Sequence, residues 1–345
     1  MDIYTLTTIL ISCSITILLG KFIIPILTKF KMGQTILKIG PFWHEKKQGT
    51  PTMGGIMFIF GIIFSLIICI PMYYTTNASL GFQIIETSLM IIKLISTIFM
   101  AIGFGLIGFI DDFIKIKNRE NLGLNAKQKL IMQFMVAASF LGTNYVAETF
   151  YSGMARTYFS IPFFGNINLG PFYWIFAAFA IVGIVNAVNL TDGIDGLCGS
   201  ISLICSFGFI FVSKMMNMHG MNLISASMFG GCLGFLFWNF YPAKIFMGDT
   251  GSLFLGGLIS GLGFLTGSIS LITIFSATYI LEILSVIFQV IYFKISKGKR
   301  FFKMSPIHHH FEMIGFSERK ICIIFSLITM FFISLGILLF ALGLY

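Results

Sequence analysis

Carboxylates gather at the ends of apolar runs in this chain, where lipid would penalise them and a polar site would use them. The densest group is Asn186-Ala-Val-Asn189-Leu-Thr191-Asp192-Gly193-Ile-Asp195-Gly196-Leu, which closes an uncharged stretch from 172 to 188. On a helix Asn186, Asn189 and Asp192 advance by steps of three and share one face, and Asp195 continues the series if the turn persists. They can address one ligand together. Asp111 and Asp112 directly follow the apolar run 94 to 110, with Lys115, Lys117, Arg119, Lys127 and Lys129 close behind. Adjacent acids at a membrane surface are expensive unless a cation or metal pairs them, and a divalent cation or a phosphate would account for the mixture. Asp249 stands between Gly248 and Gly251, just before an expected helix start. Backbone N–H groups there would face an anion, and hard carboxylate oxygens suit Mg2+, which commonly takes substrate phosphates as remaining ligands.

Two basic stretches complete the set. Lys46-Lys47-Gln48-Gly49-Thr50-Pro51-Thr52-Met53-Gly54-Gly55 carries cations and hydroxyls into a span. Lys294, Lys297, Lys299, Arg300 and Lys303 lead to Ser305-Pro306-Ile307-His308-His309-His310-Phe311-Glu312. Neighbouring helix residues point about 100 degrees apart, so His308, His309 and His310 cannot all face one metal, and one or two are expected to meet substrate. Glu282 and Gln289, seven residues apart inside an apolar span, should face protein or a polar groove.

The elements that must position these residues are set by composition. Of 345 residues 57% are hydrophobic and 10% charged, with mean hydropathy +0.95, well below the charge of a soluble domain. The class is an all-α polytopic membrane protein. Runs of about 20 apolar residues suffice to span a bilayer, and ten are expected, at about 5–27, 53–70, 89–110, 129–147, 172–190, 197–213, 223–240, 252–270, 273–293 and 321–344. The whole chain, 1–345, reads as a single transmembrane domain. The loops after the odd-numbered spans hold 18 of the 22 Lys and Arg, which puts them in the cytoplasm and both termini outside. Orientation therefore explains most of the net charge of +9, and no nucleic-acid partner is invoked. All the polar clusters fall on that cytoplasmic face. Gly230 with Gly234 and Gly257 with Gly261 have the spacing for close helix approach. Residues 150–171, rich in turn formers, suggest an external excursion or hairpin. Six dispersed cysteines without CxxC spacing argue against a disulfide framework or thiolate metal site.

Asp111-Asp112, the 186–196 stretch, FMGDTGSL at 246–253, TPTMGG at 50–55 and PIHHHFE at 306–312 together resemble the phospho-N-acetylmuramoyl-pentapeptide transferase family, over nearly the whole chain. The carboxylate motifs alone would indicate only the wider polyprenyl-phosphate N-acetylhexosamine-1-phosphate transferase superfamily. Gly315-Phe316 replaces an expected Gly-Trp and keeps an aromatic. The resemblance implies transfer of phospho-MurNAc-pentapeptide from UDP-MurNAc-pentapeptide to undecaprenyl phosphate, Mg2+ as cofactor, ten helices and a homodimer in the bacterial inner membrane. It implies Asp249 as metal ligand, Lys127 and Lys115 as phosphate contacts, His308 and His309 as the substrate-contacting pair, and Lys47, Thr52 and Phe246 as a wall of the uridine pocket. Gln289 would line the same groove, and His310 is grouped with the substrate-binding residues. Asp111 and Asp112 would deprotonate or position the lipid phosphate, leaving Asn186, Asn189, Asp192 and Asp195 to read the nucleoside and fix its pyrophosphate. A GlcNAc-1-phosphate transferase is the nearest alternative. A secondary transporter is remote, since it would bury its acids near mid-membrane.

Overall fold

A computed structural model of the chain describes residues 2–30, 47–79, 88–118, 122–163 and 165–344. Lys46 and Arg119 lie outside the described residues. The elements are α1 (Ile3–Lys29), α2 (Gly55–Ser79), α3 (Ser88–Asn118), α4 (Ala126–Ser152), β1 (Tyr158–Ile161), β2 (Gly165–Asn168), α5 (Phe172–Thr191), α6 (Leu197–Met215), α7 (His219–Asn239), α8 (Gly248–Leu265), α9 (Ile269–Phe275), α10 (Ala277–Ile295), α11 (Ile307–Met313) and α12 (Glu318–Ala341). Among the described residues nine helices are long and apolar enough to cross a membrane: α1 to α7, α10 and α12. The chain is a multi-pass membrane protein.

The expected span at 252–270 is α8, whose glycines and N-terminal Asp249 lower its hydropathy, and it is not one of the nine. It compensates by burial, with nearly every residue enclosed by neighbours that include α3, α5 and α2. The expected span at 273–293 is divided at Ser276 into α9 and α10. Residues 158–161 and 165–168 pair as the strands of the anticipated hairpin, with Tyr158 opposite Asn168 and Ile161 opposite Gly165.

Small residues let the central helices meet. A side chain on Gly230 or Gly234 would collide with the α1 backbone at Ile9 or Cys13, and one on Gly257 would press on Ala101 of α3. Dispersion and close backbone approach hold such contacts in lipid, which offers little hydrophobic drive of its own. α3 also passes close to α8, since a side chain on Gly108 would run into the Asp249 carbonyl. That contact brings the end of α3 against the start of α8.

Candidate active site

The chemistry-bearing residues meet at one end of the bundle, where α3, α5 and α10 finish and α4, α8 and α12 begin. Asp111, Asp112 and Asp249 have carboxylate oxygens within 4.8 Å of one another. Lys115, one helical turn beyond Asp111, places its Nζ 2.5 Å from Asp111 Oδ2, 4.0 Å from Asp112 Oδ1 and 3.1 Å from Asp249 Oδ2. Lys129 of α4 adds a contact of 2.7 Å to the same Asp249 oxygen. The other Asp249 oxygen accepts from Asn189 Nδ2 at 2.8 Å, and that amide also donates to Ser252. An ammonium held among three carboxylates shows that the pocket accepts a cation, and its oxygen donors fit Mg2+ chemistry.

The three aspartates are not equivalent. Asp112 is turned toward α8, accepting from Asp249 N, Thr250 N and the Thr250 hydroxyl. Gly248 adopts φ +68, the left-handed region open to glycine, and any side chain there would strike Asp112 and Thr52. Asp111 accepts from Leu124 N, which ties the loop before α4 to the end of α3. Lys127 is exposed and makes no ion pair with the triad, whereas Lys129, two residues on, reaches Asp249.

Asn186 through Asp195 have different partners in the fold. Asn186 pairs with Gln133 of α4. Asn189 supports Asp249. Asp192 caps the end of α5. Burial pushes its carboxyl well above the usual carboxylate range, and the charges of Asp249, Asp112 and Asp195 add to the effect. Asp195 is enclosed: Oδ1 takes Lys47 Nζ at 2.7 Å and Oδ2 takes Ala243 N at 2.9 Å. Lys47 also meets Glu318 Oε2 at 2.7 Å, and that oxygen accepts from Asp195 N. Burial acts to lower the Lys47 pKa, but the Glu318 and Asp195 carboxylates outweigh it and hold the ammonium above its usual range. Thr52 and Phe246 are neighbours through paired backbone, with Phe246 N donating to Pro51 O and Gly54 N to Phe246 O.

The histidines divide similarly. His308 is fully buried, its Nδ1 3.1 Å from Glu282 Oε2 of α10. His309 keeps some exposure and meets Glu312 through Nδ1 at 2.6 Å. His310 Nδ1 accepts from Lys303 N, within its own loop. Gln289 faces protein: its Oε1 accepts from Phe301 N and Phe302 N, and its Nε2 donates to Phe302 O. Its amide holds the basic loop. Lys129, Glu282, Glu312 and Glu318 join the constellation without having been singled out as site residues. Of these, Glu282 stands out in sequence as a charge within an apolar span, Lys129 among the bases after Asp111-Asp112 and Glu312 in the PIHHHFE stretch, whereas Glu318 has no such signal.

Residues 94–267 match the family model described as Glycosyl transferase family 4, and residues 47–59 match phospho-N-acetylmuramoyl-pentapeptide-transferase signature 1. The first range holds the aspartate triad and the second holds Lys47 and Thr52. The chain is 44% identical over 325 residues to the phospho-N-acetylmuramoyl-pentapeptide-transferase of Clostridioides difficile (strain 630), covering 93% of each chain. It is 41% identical over 331 residues to that of Desulforamulus reducens (strain ATCC BAA-1160 / DSM 100696 / MI-1), covering 95% of this chain and 93% of the relative. Against that of Bacillus subtilis (strain 168) it is 40% identical over 341 residues, covering 99% and 97%. With relatives this similar over almost its full length, and with their signature falling on the Lys47 to Thr52 edge of the site, the chain belongs to the phospho-N-acetylmuramoyl-pentapeptide-transferase family.

Proposed function

We propose that this transferase moves phospho-MurNAc-pentapeptide from UDP-MurNAc-pentapeptide to undecaprenyl phosphate, forming lipid I and releasing UMP, with Mg2+ as cofactor. The reaction takes place at the cytoplasmic face of the bacterial inner membrane, with both termini outside and a homodimer as the assembled form. The observation that carries the reading is the Lys115 ammonium enclosed by Asp111, Asp112 and Asp249 at the end of a membrane bundle. A soluble phosphate ester and a lipid phosphate can meet there.

Asp249, assisted by Asp111, is the cation's holder, because Asp112 is committed to the start of α8. When bound, Mg2+ supplies neutralisation of the pyrophosphate charge. Three carboxylates and two ammonium groups leave the protein's own cluster at one net negative charge, too acidic for anionic substrates by itself. Lys115 and Lys129 supply the cationic contacts for phosphate. The lipid phosphate attacks the β-phosphorus, and its second pKa near about 6 leaves it mostly dianionic at pH 7. Asp111 therefore acts by position and electrostatics, not as an obligatory base. On the donor side, Lys47, Thr52 and Phe246 form the nucleoside wall, Asp192 lies beside the pyrophosphate, and His309 is the histidine that reaches substrate.

Purified protein supplied with UDP-MurNAc-pentapeptide and undecaprenyl phosphate should give a lipid-linked product and UMP only when Mg2+ is present. UDP-GlcNAc should not replace the donor. Absence of lipid-linked product from the pentapeptide donor would overturn the reading.

A further inference from the structure

Beneath the Asp192-Gly193 turn lies a second acid–base pair that the reaction as described does not use. Glu282 and His308 are both fully buried, on α10 and α11, and meet only through Oε2 and Nδ1. Glu282 Oε1 and His308 Nε2 have no hydrogen-bond partner among the described residues. The imidazole is aimed at the turn, since a side chain on Gly193 would collide with His308 Nε2. Glycine is required there for the ring to reach the backbone.

Stability does not account for this arrangement. Buried polar atoms left unpaired are costly, and a buried charged pair is often no better for folding than apolar residues of equal volume. Tyr279, one turn before Glu282 on α10, is equally buried but has its hydroxyl paired with Ser202. A polar pair kept at a loss points to a task at the site beside it. With Glu282 as a carboxylate, which only accepts, Nδ1 carries the hydrogen and Nε2 is the nitrogen presented to the turn. His309 repeats the pattern next door, with Nδ1 on Glu312.

We propose that Glu282 is a positioning residue for the transferase: by fixing the orientation and tautomer of His308 it sets the Asp192-Gly193 turn that grips the nucleotide-sugar donor. The inference rests on the reading of that turn as part of the donor site. Glu282 touches no reacting atom, and its influence passes through His308.

Three variants test it. Glu282→Leu removes the acceptor, Glu282→Gln keeps one of the same shape for Nδ1–H, and His308→Asn removes the ring. The expected result is that Glu282→Leu retains wild-type thermal stability or better, yet raises the KM for UDP-MurNAc-pentapeptide at least about tenfold while the KM for lipid phosphate is unchanged. Glu282→Gln should restore most of the loss. Glu282→Leu combined with His308→Asn should be no worse than His308→Asn alone. Nitrogen-15 spectra of labelled histidine should show His308 with hydrogen on Nδ1, a signature absent from Glu282→Leu. A normal donor KM in Glu282→Leu, additive losses in the double variant, or hydrogen only on Nε2 of wild-type His308 would each overturn the proposal. The spectrum does not depend on turnover. If the protein makes no lipid-linked product at all, the proposed reaction fails while the His308 tautomer is still measured independently.

Discussion

The Asp112 carboxylate accepts from Thr250 N at 2.9 Å and from the Thr250 hydroxyl at 2.7 Å, so a residue of α3 caps the first turn of α8. The first N–H groups of a helix have no partner within it, and the positive end of the dipole favours a carboxylate there. Asp112 is therefore as much a structural clamp as a member of the acidic cluster, and it fixes Asp249 one residue away. Asp112→Ala should lower unfolding stability by about 1–3 kcal/mol, the size expected for a lost cap with buried donors left unpaired. Asp112→Asn, which keeps an acceptor, should lose less. Thermal unfolding of the detergent-purified variants measures the difference, and a wild-type midpoint for Asp112→Ala would remove the clamp.

Lys129 and Lys115 compete with any cation for Asp249, since both ammonium groups rest on its Oδ2. Removing one charge from the cluster should tighten divalent binding and weaken the hold on anionic substrate. In Lys129→Gln the Mg2+ concentration for half-maximal activity should fall, and kcat/KM should drop by roughly 10²-fold, the usual scale for losing one charge-stabilising group. Lys127→Gln, at an exposed position without an ion pair to the triad, should stay within about threefold of wild type. A Mg2+ titration of both variants decides the matter. Equal losses at the two positions would contradict the assignment of Lys129.

The acids were legible in sequence because a carboxylate at the end of an apolar run is costly and stands out, as at Asp111, Asp112, Asp192 and Asp249. The partners of those acids were harder to read. Lys127 and Lys129 differ by two residues, which is about 200 degrees on a helix, and only the packing of α4 on α3 and α5 decides which one points inward. The Lys47 and Glu318 contact spans 271 residues of chain, set by bundle topology with no local signal. Gln289, in an apolar span, reads as facing protein or a polar groove, and the choice falls to protein because its amide is taken by backbone of a loop whose path no periodicity gives. The break at Ser276 carries neither proline nor glycine, so the run 273–293 reads as unbroken.

Asp192 links acidity to stability. The unfolded chain ionises an aspartate near about 3.9, whereas burial holds the folded carboxyl well above that value. Between the two values the folded state binds more protons than the unfolded state, so this group's contribution to stability falls as pH rises through that window. Asp192→Asn removes the titration. In metal-free buffer its melting temperature should exceed that of the wild type at about pH 7 and converge with it near about pH 4, below which both forms of Asp192 are neutral. Transfer activity should fall at the same time. A stability gap independent of pH would show that Asp192 is not held protonated by its surroundings.

Among the described residues Lys47 is the one cation that bridges Asp195 and Glu318, and the three groups join the segment before α2, the loop after α5 and the start of α12. Lys47→Met leaves two enclosed carboxylates facing each other without compensation. Breaking a buried pair by removing one partner costs about 3–5 kcal/mol, and the partial exposure of Lys47 places the expected loss at the lower end. Glu318→Gln should cost less, because Asp195 still neutralises the lysine. The raised Lys47 pKa means this stabilisation is complete below about pH 10.4, the unfolded value, and is lost as pH climbs through the higher folded value. Neutral-pH melts of Lys47→Met, Glu318→Gln and the double variant measure the coupling. A double variant as unstable as the sum of the singles would show that Lys47 and Glu318 act separately. A partial recovery, from removing a repelling carboxylate once its cation has gone, is the outcome that the shared oxygen at Glu318 Oε2 requires.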